Sequence, residues 1–368
     1  MARVSGRATA EGTARFRRRA LDGDPQLTAH FRKAPGDLWV SSIGLGTYIG
    51  DPDPATDRTV ELAIETCLSS GRVNVFDTAI NYRYQRAERS VGRALRQQME
   101  AGKLRRDEVL VATKNGYFAP DAESITPIRR WVEVELIATG KLDRRDVVDG
   151  CHAMSVSYLT DQFERSRENL GLETIDLLYL HNAADAQIPI VGREEFERRL
   201  KDCFGLFERW RSEGSLGAYG LATWDCLRLP RSDPGHFPLE RAVHIAQSVG
   251  GPSHGFRYVQ FPFNLRMPEA YVDHNQSISG EGVSLLEAVR RLELGCFTSV
   301  PLFQGQLARI GPKLDGLSRA QTALQFARSA PGSLGPLVGQ KQTQHLVENL
   351  EIADRPPWDL PSFAAALR

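Results

Sequence analysis

The chain has no disulfide or metal framework. Its five cysteines, Cys67, Cys151, Cys203, Cys226 and Cys296, are scattered, with no Cys-x-x-Cys pair and no histidine at zinc-ligand spacing. An odd count of this kind reads as reduced thiols in a cytoplasmic protein, and no metal is expected. Long hydrophobic runs are missing as well. No stretch approaches the roughly 20 apolar residues of a spanning helix, and no apolar segment follows the basic start as a secretory signal requires, so neither a membrane nor export is expected. The third absence is charge of one sign. Lys+Arg and Asp+Glu both number 46, which removes a global electrostatic case for nucleic acid or an anionic surface. A small molecule is the expected partner, and oligomeric state is left open.

What is present is a large apolar fraction, 41% of 368 residues, with 25% charged. That composition builds a sizeable core and does not indicate disorder. The length exceeds one average domain, yet barrels of alternating strands and helices reach it as a single unit. Residues 1–23 are rich in Arg, Ala and Gly, reading FRRR at Phe16 to Arg19, and are expected to be a flexible arm ahead of one domain over residues 24–368.

From Thr28 onward two alternating segments flank the turn dipeptide Pro35-Gly36, and a short strand then ends at Gly44-Leu45-Gly46-Thr47. Strands are expected at 73–76, 109–114, 176–181, 217–223, 258–264, 296–302 and 335–339, with helical spacing between them. The rhythm breaks once, over residues 115–157, where no strand is ready to join; Thr126-Pro127 opens a helix there through Ala138. Alternation this regular specifies a (β/α)₈ TIM barrel with an N-terminal β-hairpin and a long insertion after its third strand. Loops 115–157, 182–192 and 265–282 are the expected walls of a pocket at the strands' carboxyl ends.

Several strands stop on titratable residues. Asp77 closes one apolar run and Tyr82 follows it by five residues, VLVAT runs into Lys114, and DLLYL runs into His181. Taken singly, Asp77 reads as a loop cap and Tyr82 as packing. Together an Asp, a Tyr, a Lys and a His at strand ends can form one buried cluster in which an ammonium held by a carboxylate acidifies a phenol.

FDTAINY, ATK and LLYLHN, in that order and at those positions, resemble the catalytic signature of the aldo/keto reductases, barrel enzymes that use nicotinamide cofactors. The resemblance spans residues 37–351. It implies that Tyr82 is the general acid, that Lys114 and Asp77 tune it, and that His181 orients the carbonyl. It further implies cofactor contacts at Gly46 and Thr47, at Gln260 for the carboxamide, at Pro301, Leu302, Gly305 and Leu307 in SVPLFQGQL, and at Gly339, Lys341, His345 and Asn349 around the adenosine phosphate. Two departures stand out. Gly220-Leu221-Ala222-Thr223-Trp224 replaces the usual Gly-Val-Ser-Asn-Phe, so of the usual Ser and Asn pair only Thr223 keeps a polar side chain, and Gln260 is left with more of the carboxamide's orientation. Gly339 and His345 stand where basic residues are usual, leaving Lys341 as the cation for a 2′-phosphate.

The expected activity is NAD(P)H-dependent reduction of an aldehyde or ketone, or the reverse, with NADP(H) favoured over NAD(H). Two other readings stay open: a cofactor-binding barrel that senses redox state and regulates a partner with little turnover, and a Schiff-base lyase using Lys114, which would need that lysine unpaired.

Overall fold

The computed structural model describes every residue except Met1, Ser124, Ile125, Asp315, Gln340, Lys341 and Arg368. Two antiparallel strands come first, β1 (Phe31–Ala34) and β2 (Leu38–Ser41), joined through Pro35-Gly36, where Gly36 adopts φ 77°. Eight parallel strands follow: β3 (Gly44–Gly46), β4 (Val75–Asp77), β5 (Leu110–Asn115), β6 (Ile175–His181), β7 (Leu216–Ala222), β8 (Phe256–Pro262), β11 (Gly295–Ser299) and β12 (Gly335–Gly339). They close in sequence order, because β12 pairs with β3 through Val338 and Leu45. A second hairpin, β9 (Gln276–Ile278) with β10 (Glu281–Val283), lies outside the barrel. The barrel and the N-terminal hairpin agree with the sequence expectation.

Strand period explains which residues face inward. Val75, Leu110, Ala112, Leu177, Tyr179, Tyr258, Phe297 and Leu337 form the interior cluster, sealed at the amino-terminal end by Ala34 and Val40 of the hairpin and by Ala8. Their outward-facing neighbours Phe76, Val111, Leu178, Leu180 and Val259 join the larger layer between strands and helices.

Within 1–23, the described residues 2–23 are not the flexible arm that composition suggests. Ala10–Gly23 is a helix capped by Thr9, whose Oγ1 accepts from Gly12 N at 2.9 Å. It buries Phe16 and Ala20 against Phe31 and Leu27. Ahead of it, Ala8 N donates to Asp176 Oδ1 at 2.6 Å and Val4 N to Gly171 O at 2.8 Å. The arginines that looked like a solvated run have distant partners, Arg15 on Asp107 at 2.7 Å and Arg19 on Glu108 at 2.8 Å.

The insertion also differs in detail. The helix expected over 126–138 is a single α-turn at Ile128–Trp131 continued by a π-helical stretch, Val132–Ile137. Phe118, Trp131, Val132, Leu136, Leu142 and Tyr158 give it a small core of its own. The presumed loop 182–192 is the helix Ala183–Val191, which tolerates Pro189 near its end.

Candidate active site

The inward faces of four strands converge at the carboxyl end of the barrel. Continuing the alternation, β4 presents Asp77 above Val75, β5 presents Lys114 above Ala112, β6 presents His181 above Tyr179 and β8 presents Gln260 above Tyr258. Lys114 Nζ donates to Asp77 Oδ2 at 2.6 Å and to the Thr78 carbonyl at 2.9 Å. Gln260 Nε2 donates to the other carboxylate oxygen, Asp77 Oδ1, at 3.1 Å. Lys114 also lies 4.8 Å from the centroid of the Tyr82 ring, and that ring stands edge-on to His181 at 5.7 Å. The sequence-predicted quartet is therefore one contiguous cluster.

Tyr82 is held by an unusual loop. The next three residues, Arg83, Tyr84 and Gln85, all have positive φ, at 48°, 54° and 72°. For three consecutive non-glycine residues this is strained backbone, and such strain collects at sites where the surroundings fix it. Here a buried ion pair, Arg83 to Asp57 at 2.7 Å, and the Gln85 amide on the Ala119 carbonyl at 2.7 Å do so.

Electrostatics assign the protonation states. Burial pulls the Lys114 ammonium down, but Asp77 and Tyr82 outweigh it and hold its pKa above the usual value. Burial pushes Asp77 up against the opposing pull of Lys114 and Gln260. The Tyr82 phenol is raised, since burial exceeds the lowering by Lys114. This corrects the simple expectation of an acidified tyrosine: Lys114 reduces the cost of a phenolate, while the resting group keeps its proton. Burial, Lys114 and His152 hold His181 well below its ordinary value, hence neutral. Its Nδ1 is buried without a partner, which leaves Nε2 as the nitrogen open to a substrate oxygen.

The cluster lies in a cleft of ≈ 1110 Å³ running along the mouth of the barrel. Asp77, Tyr82 and His181 line it, whereas Lys114 stands behind them, 1% exposed. Of the positions implied for a cofactor, Gly46, Thr47, Thr223, Gln260, Pro301, Leu302, Gly305, Gly339, His345 and Asn349 line the cleft. Leu307 does not; it turns into the protein, 3% exposed. Lys341 lies outside the described residues. The expected wall at 265–282 contributes no lining residue, and among the described residues of the insertion only Tyr117 reaches the cleft. Sequence reasoning missed Arg309, Lys313 and Arg319, three cationic side chains at the end nearer Asn349. Two of them follow SVPLFQGQL within six residues, and that spacing was the one signal for them.

These residues fit a nicotinamide cofactor. Gln260 Nε2 is committed to Asp77, leaving Oε1 to accept from a carboxamide. Thr223 Oγ1 reaches the Gln260 carbonyl at 3.4 Å, and Ala222 offers no side-chain polar group, so the carboxamide end is thinly served. Its loop is nevertheless fixed, because Asp185 accepts from the backbone N–H groups of Trp224, Asp225 and Cys226 at 3.1, 2.7 and 2.8 Å.

An eight-stranded parallel barrel with this cluster at its carboxyl end defines a class of cofactor-using barrels, and the comparisons narrow it. The aldo/keto reductase family model matches residues 42–231, and the chain belongs to that family. An NADH-specific methylglyoxal reductase of Escherichia coli is 26% identical over 193 residues, 51% of this chain and 50% of the relative. A pyridoxal 4-dehydrogenase of Microbacterium luteolum is 27% identical over 214 residues, 55% of this chain and 58% of the relative. The chain thus spans about half the length of the curated relatives it matches. Among solved structures, an aldo/keto reductase from Klebsiella pneumoniae in complex with NADP and acetate superposes with a TM-score of 0.59 at 18% identity, over 92% of this chain and 94% of that one. A glycerol dehydrogenase from Gluconobacter oxydans gives 0.61 at 18%, with the same coverage. At such identities these structures speak to the fold.

Proposed function

We propose that the protein is a nicotinamide-dependent oxidoreductase that reduces an aldehyde or ketone to an alcohol, or runs the reverse reaction. The observation that carries this reading is Lys114, fully buried, ion-paired with Asp77 at 2.6 Å and set against the Tyr82 ring at the cleft wall. A cofactor held along Gly46, Thr223, Gln260 and Asn349 would supply the hydride. The chain's own residues do the rest. As negative charge develops on the carbonyl oxygen, the Tyr82 hydroxyl gives it a proton, and the phenolate left behind is stabilised by Lys114. Asp77 keeps that lysine charged. Neutral His181 donates from Nε2 to the same oxygen and sets the carbonyl's angle.

The pairing of Lys114 with Asp77 favours this over a Schiff-base lysine, which must lose its proton. The complete cluster likewise favours turnover over a purely regulatory barrel. For the cofactor, we favour NADP(H), on the three cations at the far end of the cleft and with Lys341 retained as a candidate contact. The test is to present the protein with NADPH or NADH and a panel of aldehydes and ketones. Oxidation of the reduced cofactor that depends on the carbonyl is expected; tight cofactor binding with no turnover on any carbonyl would overturn the reading in favour of a regulatory role.

A further inference from the structure

The insertion after β5 returns one aromatic residue to the cleft, and an extended network fixes it there. Tyr117's carbonyl accepts from Tyr158 Oη at 3.0 Å and from Gln162 Nε2 at 2.7 Å, while Gly116 N donates to Gln162 Oε1 at 2.8 Å. Its ring is clamped edge-on between His181 at 5.0 Å and His152 at 5.1 Å. The orientation of His152 follows from a chain of forced assignments. Arg199 can only donate, so the Gln187 oxygen 3.0 Å away is the acceptor; the Gln187 nitrogen then donates to His152 Nδ1 at 3.0 Å, and His152 Nε2–H donates to the His181 carbonyl at 3.0 Å. Gly116 has φ 131°, and a Cβ there would come within 2.6 Å of His152 Nε2, so the approach of insertion to strand end requires glycine.

At the tip of this device the Tyr117 hydroxyl accepts from Asn182 Nδ2 at 3.4 Å. Asn182 follows His181 directly, in a left-handed conformation with φ 48° and with its own N–H on the Ala222 carbonyl at 2.6 Å. That long contact is the one hydrogen bond that either the Tyr117 hydroxyl or the Asn182 side chain makes among the described residues, so both keep hydrogen-bonding capacity toward the cleft. Both side chains line the cleft. Tyr117 and Tyr82 thus both stand edge-on to His181, at 5.0 and 5.7 Å, and both line the same cleft.

We propose that Tyr117 and Asn182 form a second hydrogen-bonding subsite that recognises an oxygen close to the reacting carbonyl, so that the preferred substrates are hydroxyaldehydes, hydroxyketones or dicarbonyls. The proposal rests on the redox reading above, with Tyr82 and His181 on the reacting oxygen. A rigidly held phenol and amide with unused hydrogen-bonding capacity discriminate well, because a substrate without the second oxygen leaves that capacity unmet where the substrate displaces water.

The test compares lactaldehyde with propanal, which differ by one hydroxyl on the neighbouring carbon, for the native protein and Tyr117→Phe. The native protein should favour lactaldehyde in kcat/KM by a factor on the order of 10, and in Tyr117→Phe the ratio should fall toward one. A native ratio near one, or a ratio unchanged by the substitution, would overturn the subsite. Calorimetric titration of both aldehydes into the protein loaded with the oxidised cofactor gives the same ratio without turnover. If that affinity ratio collapses in Tyr117→Phe while neither aldehyde is ever reduced, the subsite stands and the redox reading falls; an affinity ratio that the substitution leaves intact overturns the subsite.

Discussion

At the scale of single residues, Lys114 is fully buried and still charged. Removing Asp77 leaves that charge without its partner, and removing Lys114 leaves a buried carboxylate without its own, so each change disables the same unit. Asp77→Asn and Lys114→Met should each lower kcat by a factor on the order of 10² or more, and the double variant should be scarcely worse than either. Additive losses would show that the two act independently. Two buried histidines give a pH prediction. Burial and the nearby Arg328 hold His30 at about 3, and burial holds His152 at about 4. An unfolded chain protonates both near 6.5, whereas the folded one does not. Unfolding therefore takes up protons below about pH 6.5, and stability falls as pH drops toward 4, by roughly 1.4 kcal/mol per unit for each ring. Denaturant midpoints taken between pH 7 and 5 read this slope, and it should be shallower in His30→Asn; an identical slope would contradict the assignment. The cluster of Asp77, Tyr82, Lys114 and His181 was legible in the sequence because three of its members stop an apolar run and Tyr82 follows the first by five residues. Arg309, Lys313 and Arg319 were not, because a charge on a short helix, a helix start or the loop between them reads as solvated until the fold shows what it faces.

At the scale of elements, the strands were readable from their period, and the break at 115–157 from its lack of one. The N-terminal helix was not, since its arginines are neutralised by Asp107 and Glu108, some ninety residues away, as Arg15 and Arg19 show. The helix Ala183–Val191 escaped for a different reason: Pro189 argues for a loop, and only its position near the end of the helix makes it tolerable. Contact between the N-terminal helix and the turn before β5 is so close that a Cβ on Gly12 would lie 2.1 Å from the Asp107 carbonyl oxygen. Gly12→Ala should therefore destabilise the protein by about 1–3 kcal/mol despite alanine's better helix propensity. A lowered urea midpoint is expected; a rise would mean that the helix is loosely attached.

At the scale of the whole molecule, one cleft at the mouth of the barrel is lined both by the Asp77, Tyr82 and His181 cluster and by the cations Arg309, Lys313 and Arg319. If Arg309 and Lys313 meet the 2′-phosphate of a dinucleotide, replacing both with alanine should weaken NADPH by roughly one to two decades and NADH much less, because a charge-assisted contact is worth about 1.5–3 kcal/mol. Fluorescence titration of the double variant with each cofactor decides it; equal weakening would assign these cations to the shared diphosphate. The claim on which everything else depends is that Tyr82 delivers the proton. Steady-state turnover and cofactor titration of Tyr82→Phe test it most directly: kcat should fall by a factor on the order of 10² or more with cofactor affinity nearly unchanged, and full turnover in that variant would contradict the account.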